Sequence, residues 1–251
     1  MLAAARRLGQ LLPVSVQSTF LGAHAVPPEF EGRPDAYLDS LVNLLSAAAA
    51  AGAVAVDGYC EAGAFTAAQL DPLFAAAARE GLRVKLHAGQ FTDQGGAELV
   101  ARHRGLSADH LEHLSPAGVA ALAAAGTVAV LLPGASLTLR DTARPPVVAL
   151  RAAGVPLAVA TDCNPGTSPL TSLTAAMSLA CTLYGLAPSE ALAGATRAAA
   201  RALGLADRGL LAPGLRADLC LWRAEGAADL CQGLGAPPLS ARVVEGRLLH
   251  A

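Results

Sequence analysis

"VPLAVATDCNPGTSP", residues 155–169, climbs through six apolar residues, breaks at Thr161 and Asp162, and continues into Asn164, Pro165, Gly166 and Thr167. A short apolar run bounded by turn formers reads as a buried strand. A carboxylate at its end is costly to the core and well placed for chemistry. Working back from it, similar Val/Leu runs occur at 14–20, 53–57, 83–87, 106–111 and 128–132, completed by 157–161. Ala-rich amphipathic stretches near 36–51, 66–80, 95–104, 116–125 and 145–153 separate them, and helices at about 170–184 and 188–203 follow. Strict strand–helix alternation implies parallel strands with right-handed crossovers.

Composition agrees with a large core. Of 251 residues, 53% are hydrophobic and 15% charged, and the net charge is -2. Lys85 is the single lysine, and no basic run suggests nucleic acid or an anionic membrane surface. The five cysteines, Cys60, Cys163, Cys181, Cys220 and Cys231, are scattered without a CxxC pair. They read as reduced thiols of a cytoplasmic protein. The apolar runs are too rich in Ala and Gly for a membrane span, and the arginines of "MLAAARRLGQLLP" follow its apolar residues, the wrong order for a signal peptide.

His87 ends the third strand, His110 lies near the end of the fourth, and Asp162 follows the sixth. Functional groups at the C-terminal ends of different parallel strands are the habit of a (β/α)8 barrel. That barrel needs eight strands, and the pattern supplies six, so either two strands are unread or the first two βα units are absent. After Gly204 the character changes. "GLLAPGLRADLCLW" and "ARVVEGRLLHA" read as antiparallel strands around turns at Pro213-Gly214 and Glu245-Gly246. The expected organisation is a partial barrel over 1–204 and a small β appendage over 205–251.

Neutral imidazole and carboxylate suit a hydrolytic Zn²⁺ or iron. A single strand-end histidine is nevertheless more often a hydrogen-bonded core or surface residue than a ligand. His103, beside two arginines, reads as a solvated helix-terminal charge. Glu61 reads equally as a structural hydrogen bonder or a group supporting the site, and Cys163 and Trp222 as packing residues.

Longer segments say more. "TFLGAHAVPPEF" (19–30), "VKLHAGQFTDQGG" (84–96), "LSADHLEH" (106–113), "LLPGASLTLR" (131–140), "ATDCNPGTSP" (160–169) and "MSLACTLYGLAPSEALAGATRAAARALG" (177–204) occur in this order. Together they closely resemble the imidazolonepropionase family of the amidohydrolase superfamily, over nearly the whole chain. The resemblance implies a metal-dependent barrel that hydrolyses 4-imidazolone-5-propanoate to N-formimidoyl-L-glutamate, with one Zn²⁺ or Fe³⁺. It implies His87 and Asp162 as metal ligands, and Asp162, His110 and Gln90 as catalytic groups. His24, Gln90, Asn164, Gly166 and Thr167 would bind substrate. A homodimer is left open. The family's His-x-His pair on its first barrel strand has no match here, nor do an Arg and a Tyr that bind substrate. The sequence therefore reads as a portion beginning just before strand three. Upstream reading frame is expected to supply two more βα units, and without them the first strand should expose an unpaired edge. Another cyclic amidohydrolase or aminohydrolase, or a non-catalytic remnant serving as a binding module, is the alternative.

Overall fold

The computed structural model describes residues 1–235 and 239–250, the last without its side chain. The chain divides into two compact units, Met1–Thr127 and Val128–Ala251. The first contains α1 (Leu2–Leu11), β1 (Ser18–Ala23), α2 (Pro34–Val42), α3 (Leu45–Ala50), β2 (Ala53–Cys60) and α4 (Ala67–Arg79). It continues through β3 (Arg83–Ala88), α5 (Gly96–Arg102), β4 (Ser107–His110) and α6 (Pro116–Ala125). Each of these strands pairs in parallel with the next.

The second unit opens with β5 (Val128–Leu131), α7 (Pro133–Leu139), α8 (Val147–Ala152) and β6 (Leu157–Val159), the two strands again parallel. Then come α9 (Leu173–Tyr184), α10 (Pro188–Ala193), a π-helical turn at Gly194–Ala198 and α11 (Ala199–Ala202). β7 (Leu219–Trp222), α12 (Ala227–Cys231), β8 (Leu239–Val244) and β9 (Arg247–His250) close the chain, with β7, β8 and β9 antiparallel. The expected α/β plan of six parallel strands alternating with helices is present.

Local chemistry explains the helix ends. Thr66 and Gln69 form a capping box at the start of α4, satisfying otherwise orphaned N–H groups. Ser115 and Ser172 accept from Gly118 and Ala175 N–H to start α6 and α9, and left-handed Gly126 and Gly185 end them. Leu70, Leu73 and Phe74 of α4 are buried in the core with Val56 and Leu86. In the second unit Leu131, Val159, Ala176, Met177 and Leu186 belong to one buried apolar cluster.

Some boundaries differ from the sequence reading. β1 starts at Ser18, four residues later than expected, and Ser18 meets the first residue of β2, Ala53. The helix expected over 36–51 breaks between α2 and α3, and α7 and α12 were not expected. The helix over 188–203 carries a π-turn, where a Cβ on Gly194 would lie 3.1 Å from Val159 and 3.2 Å from the Leu157 carbonyl. A side chain there would have to push β6 back by a few tenths of an ångström, so glycine suits that approach. The turn at Pro213-Gly214 has no strand before it. The one at Glu245-Gly246, both left-handed, joins β8 to β9 as a two-residue hairpin should. Residues 236–238 and 251 lie outside the described residues. Among the described residues β1 pairs only with β2, α1 buries nothing, and Leu8, Leu11, Leu12 and Val14 are exposed.

Candidate active site

Strand register builds the site. In β2, β3 and β4, Tyr59 is opposite His87, Lys85 opposite Ser107, and His87 opposite Asp109. Side chains two apart share a face, so Asp57, Tyr59, Lys85, His87, Ser107 and Asp109 form one polar layer on three neighbouring strands. Asp57, Lys85, Ser107 and Asp109 escaped the sequence reading. Their signal was the period-two polar pattern, D-x-Y, K-x-H and S-x-D, inside otherwise apolar runs.

His87 is the hub. Its Nδ1 lies 3.2 Å from Asp57 Oδ1. Asp57 is buried, and burial pushes its carboxyl up, but the charges of His87 and Lys85 and hydrogen bonds from His87 and Gly58 together hold it below its ordinary value. Asp57 is thus an anion able to accept from Nδ1–H, which places the imidazole lone pair on Nε2, the tautomer that ligates metals. Ligand atoms of Asp57, His87 and Asp109 all fall within 4.8 Å of one another, as in a cation site. Lys85 already supplies positive charge there. Its Nζ donates to Ser107 Oγ at 2.7 Å and sits 3.8 Å from Asp109 Oδ2. A metal sharing the space with that ammonium would be repelled, so the two carboxylates read as support beneath His87.

His110 reaches the same place by strain. Strict alternation would point it away from the Asp109 face. Its φ is 80°, and that of Leu111 is 74°, a left-handed geometry costing a non-glycine residue about 1–3 kcal/mol. The ring comes within 5.5 Å of the His87 ring, centroid to centroid. Burial, then the neighbouring His87 charge, lower the His110 pKa to about 3, against a smaller opposing pull from Asp57. His110 is a neutral imidazole, and its buried Nδ1 has no hydrogen-bond partner. That nitrogen is sealed from solvent and lies 3.9 Å from the Glu112 carboxylate.

Exposed His24 stacks on Tyr59 at 5.3 Å and meets the edge of His87 at 6.2 Å. Gln90, 6% exposed, accepts from the Tyr59 hydroxyl at 2.9 Å. The loop that carries Gln90 is fastened by Glu61, whose carboxylate accepts from the N–H groups of Ala62 and Phe91 and from the Thr92 hydroxyl. The structure therefore brings His24, His87, Gln90 and His110 together and gives Glu61 its work. His103 differs from expectation: it pairs with Asp71 at 2.7 Å and packs on Phe74.

In the second unit, Asp162 follows β6 with φ 51°. The Asn164 side chain braces the turn behind it. Its Oδ1 accepts from the N–H groups of Gly166 and Thr167, and its Nδ2 donates to the Asp162 carbonyl and Thr167 Oγ1. Ser168 Oγ donates to the Thr161 carbonyl. Asn164 spends its hydrogen-bonding capacity inside the loop, which holds Gly166 and Thr167 in a fixed shape.

Solved structures share this fold. N-isopropylammelide isopropylaminohydrolase from Burkholderia multivorans matches with TM-score 0.74 and 24% identity, over 98% of this chain and 65% of that one. A mutant atrazine chlorohydrolase from Arthrobacter aurescens, complexed with zinc and atraton, matches with TM-score 0.72 and 18% identity, over 99% and 71%. Among curated relatives, a protein named imidazolonepropionase from Cereibacter sphaeroides is 61% identical across 99% of this chain. One of the same name from Ralstonia nicotianae is 61% identical across 98%. The chain spans 64% and 61% of the lengths of these relatives. The model of the Amidohydrolase family matches residues 14–240. With that match covering most of its length, the chain belongs to the amidohydrolase family.

Proposed function

We propose that this chain is the portion of an imidazolonepropionase that carries barrel strands three to eight. Residues 1–204 would form the partial barrel and 205–251 part of a small β domain. The observation that carries the reading is the 61% identity, across 99% of the chain, to a protein of that name. The reaction would be hydrolysis of 4-imidazolone-5-propanoate to N-formimidoyl-L-glutamate.

His87, through Nε2, and Asp162 would hold one Zn²⁺ or Fe³⁺, with further ligands from outside this chain. Such an ion acidifies a bound water and polarises a carbonyl. The chain's own residues supply the rest. Asp162 takes a proton from the attacking water and returns it to the ring nitrogen that leaves the carbonyl carbon. His110, neutral at working pH, has one N–H to donate to the developing oxyanion. Gln90, hydrogen-bonded to Tyr59 beside the His87 ring, would hold the substrate. His24 and the turn at Asn164, Gly166 and Thr167 orient the anionic substrate. No helix among the described residues is long and apolar enough to cross a membrane, and the cysteines among them are free; the compartment proposed for this small-molecule enzyme is the cytoplasm.

The test is turnover by the protein at its native length. Loss of the imidazolone absorbance with appearance of N-formimidoyl-glutamate by mass spectrometry is expected. No turnover of this compound by the metal-loaded protein, with turnover of another cyclic amide or an aminated heterocycle, would replace this reading.

A further inference from the structure

We propose that Tyr59 sets the hydrogen-bonding polarity of the substrate site, fixing Gln90 with its amide nitrogen outward as a donor to an acceptor oxygen of the ligand. The proposal rests on the functional reading above for the identity of the ligand, and on geometry for the rest. Tyr59 projects from β2 into the polar layer, between the His24 ring stacked on it and the His87 ring at 6.2 Å edge-on. Its hydroxyl lies 2.9 Å from Gln90 Oε1 across the loop that follows β3. A phenol, with an ordinary pKa of about 10, keeps its proton at neutral pH.

That proton decides the amide orientation. Among the described residues the Tyr59 hydroxyl has no other hydrogen-bond partner. Turning the Gln90 amide over would present Nε2 to the phenol oxygen and leave the hydroxyl proton without an acceptor, a net loss. With Oε1 committed to Tyr59, the amide can offer only Nε2. No protein group among the described residues accepts from that nitrogen, and it is not among the sealed polar atoms left without a partner. It is therefore an open donor beside His24 and His87. An amide does not titrate, so Gln90 acts by binding and not by moving protons. Tyr59 is a positioning residue that acts through it. The ligand class that matches is one presenting a carbonyl or carboxylate oxygen at this point.

The test uses the protein at its native length with Tyr59→Phe, Gln90→Met and the double variant. Tyr59→Phe keeps the ring stacked on His24 and removes only the hydroxyl. The expected result is a rise in KM of about threefold to tenfold, the range of one hydrogen bond, with kcat within about twofold. Gln90→Met should raise KM at least as much, and the double variant should match Gln90→Met alone. Multiplying effects would overturn the proposal, because Tyr59 would then act independently of Gln90. A second readout needs no turnover. The Gln90 side-chain amide pair in a ¹⁵N spectrum, identified by its loss in Gln90→Met, should shift and average in Tyr59→Phe; an unmoved pair also overturns the proposal. Absence of turnover in the unsubstituted protein would sink the functional reading while the amide spectrum still decides this one. Inhibition by imidazole-4-propanoate, which lacks the ring oxygen, separates the two oxygen sources. Tyr59→Phe should weaken it only if the carboxylate is the group accepted.

Discussion

The Asp57 carboxylate and His87 Nδ1 meet at 3.2 Å across neighbouring strands, from positions thirty residues apart in sequence. On the proposed reading, the contact would make His87 a better ligand by fixing its tautomer and raising its basicity. Asp57→Asn keeps an acceptor but removes the charge, and Asp57→Ala removes both. Metal retention should fall about 10- to 100-fold, more for Ala than for Asn. Metal content after dialysis against graded chelator checks this, with near-UV circular dichroism confirming the fold. Retention equal to the unsubstituted protein would mean that Asp57 serves packing alone.

His110 predicts a pH dependence of stability. Its folded pKa is about 3, against an ordinary 6.5. Between those values the unfolded chain binds the proton and the folded one does not, so stability is lost as pH falls from 6.5 toward 3. The slope is at most about 1.4 kcal/mol per pH unit for one proton. Asp57, whose folded value is lowered from 3.8, adds a loss only below that pH. Chemical denaturation of metal-free protein from pH 7 to 4 should show the first slope, and His110→Gln should flatten it.

Glu61 is 4% exposed and accepts from Ala62 N–H beside it and from two donors, Phe91 N–H and the Thr92 hydroxyl, that tie the Gln90 loop to the end of β2. Glu61→Gln leaves one of those donors facing an amide N–H. The cost should be about 1–3 kcal/mol, seen as a lower melting temperature, with faster hydrogen exchange at the Phe91 amide. A slow Phe91 amide in the variant would show that the loop is held by something else.

Asp162 and His24 should separate kinetically at native length. Asp162→Asn should abolish turnover without unfolding the protein, because an amide is a poor ligand and cannot carry the proton. His24→Ala should mainly raise KM, since its assigned work is binding. Near-normal kcat in Asp162→Asn would remove it from the proton path.

Sequence alone determined what local chemistry determines. Thr66-x-x-Gln69, Ser115-Pro116 and Ser172 mark helix starts because a side-chain oxygen satisfies N–H groups a few residues away. Glu245-Gly246 marks a hairpin because its turn needs left-handed residues. The alternation of Val/Leu runs with Ala-rich stretches set six parallel strands, and it put His87, His110 and Asp162 at strand ends. Register across strands was decided only by tertiary structure. Nothing near Asp57 in sequence says that it faces Lys85 and lies beneath His87; the pairing of Tyr59 with His87 does. The same holds for the Tyr59–Gln90 hydrogen bond, which joins two strand ends. His110 shows the limit most sharply. Period two assigns its side chain to the wrong face, and only a strained φ, stabilised by the packing around it, turns the ring back toward His87.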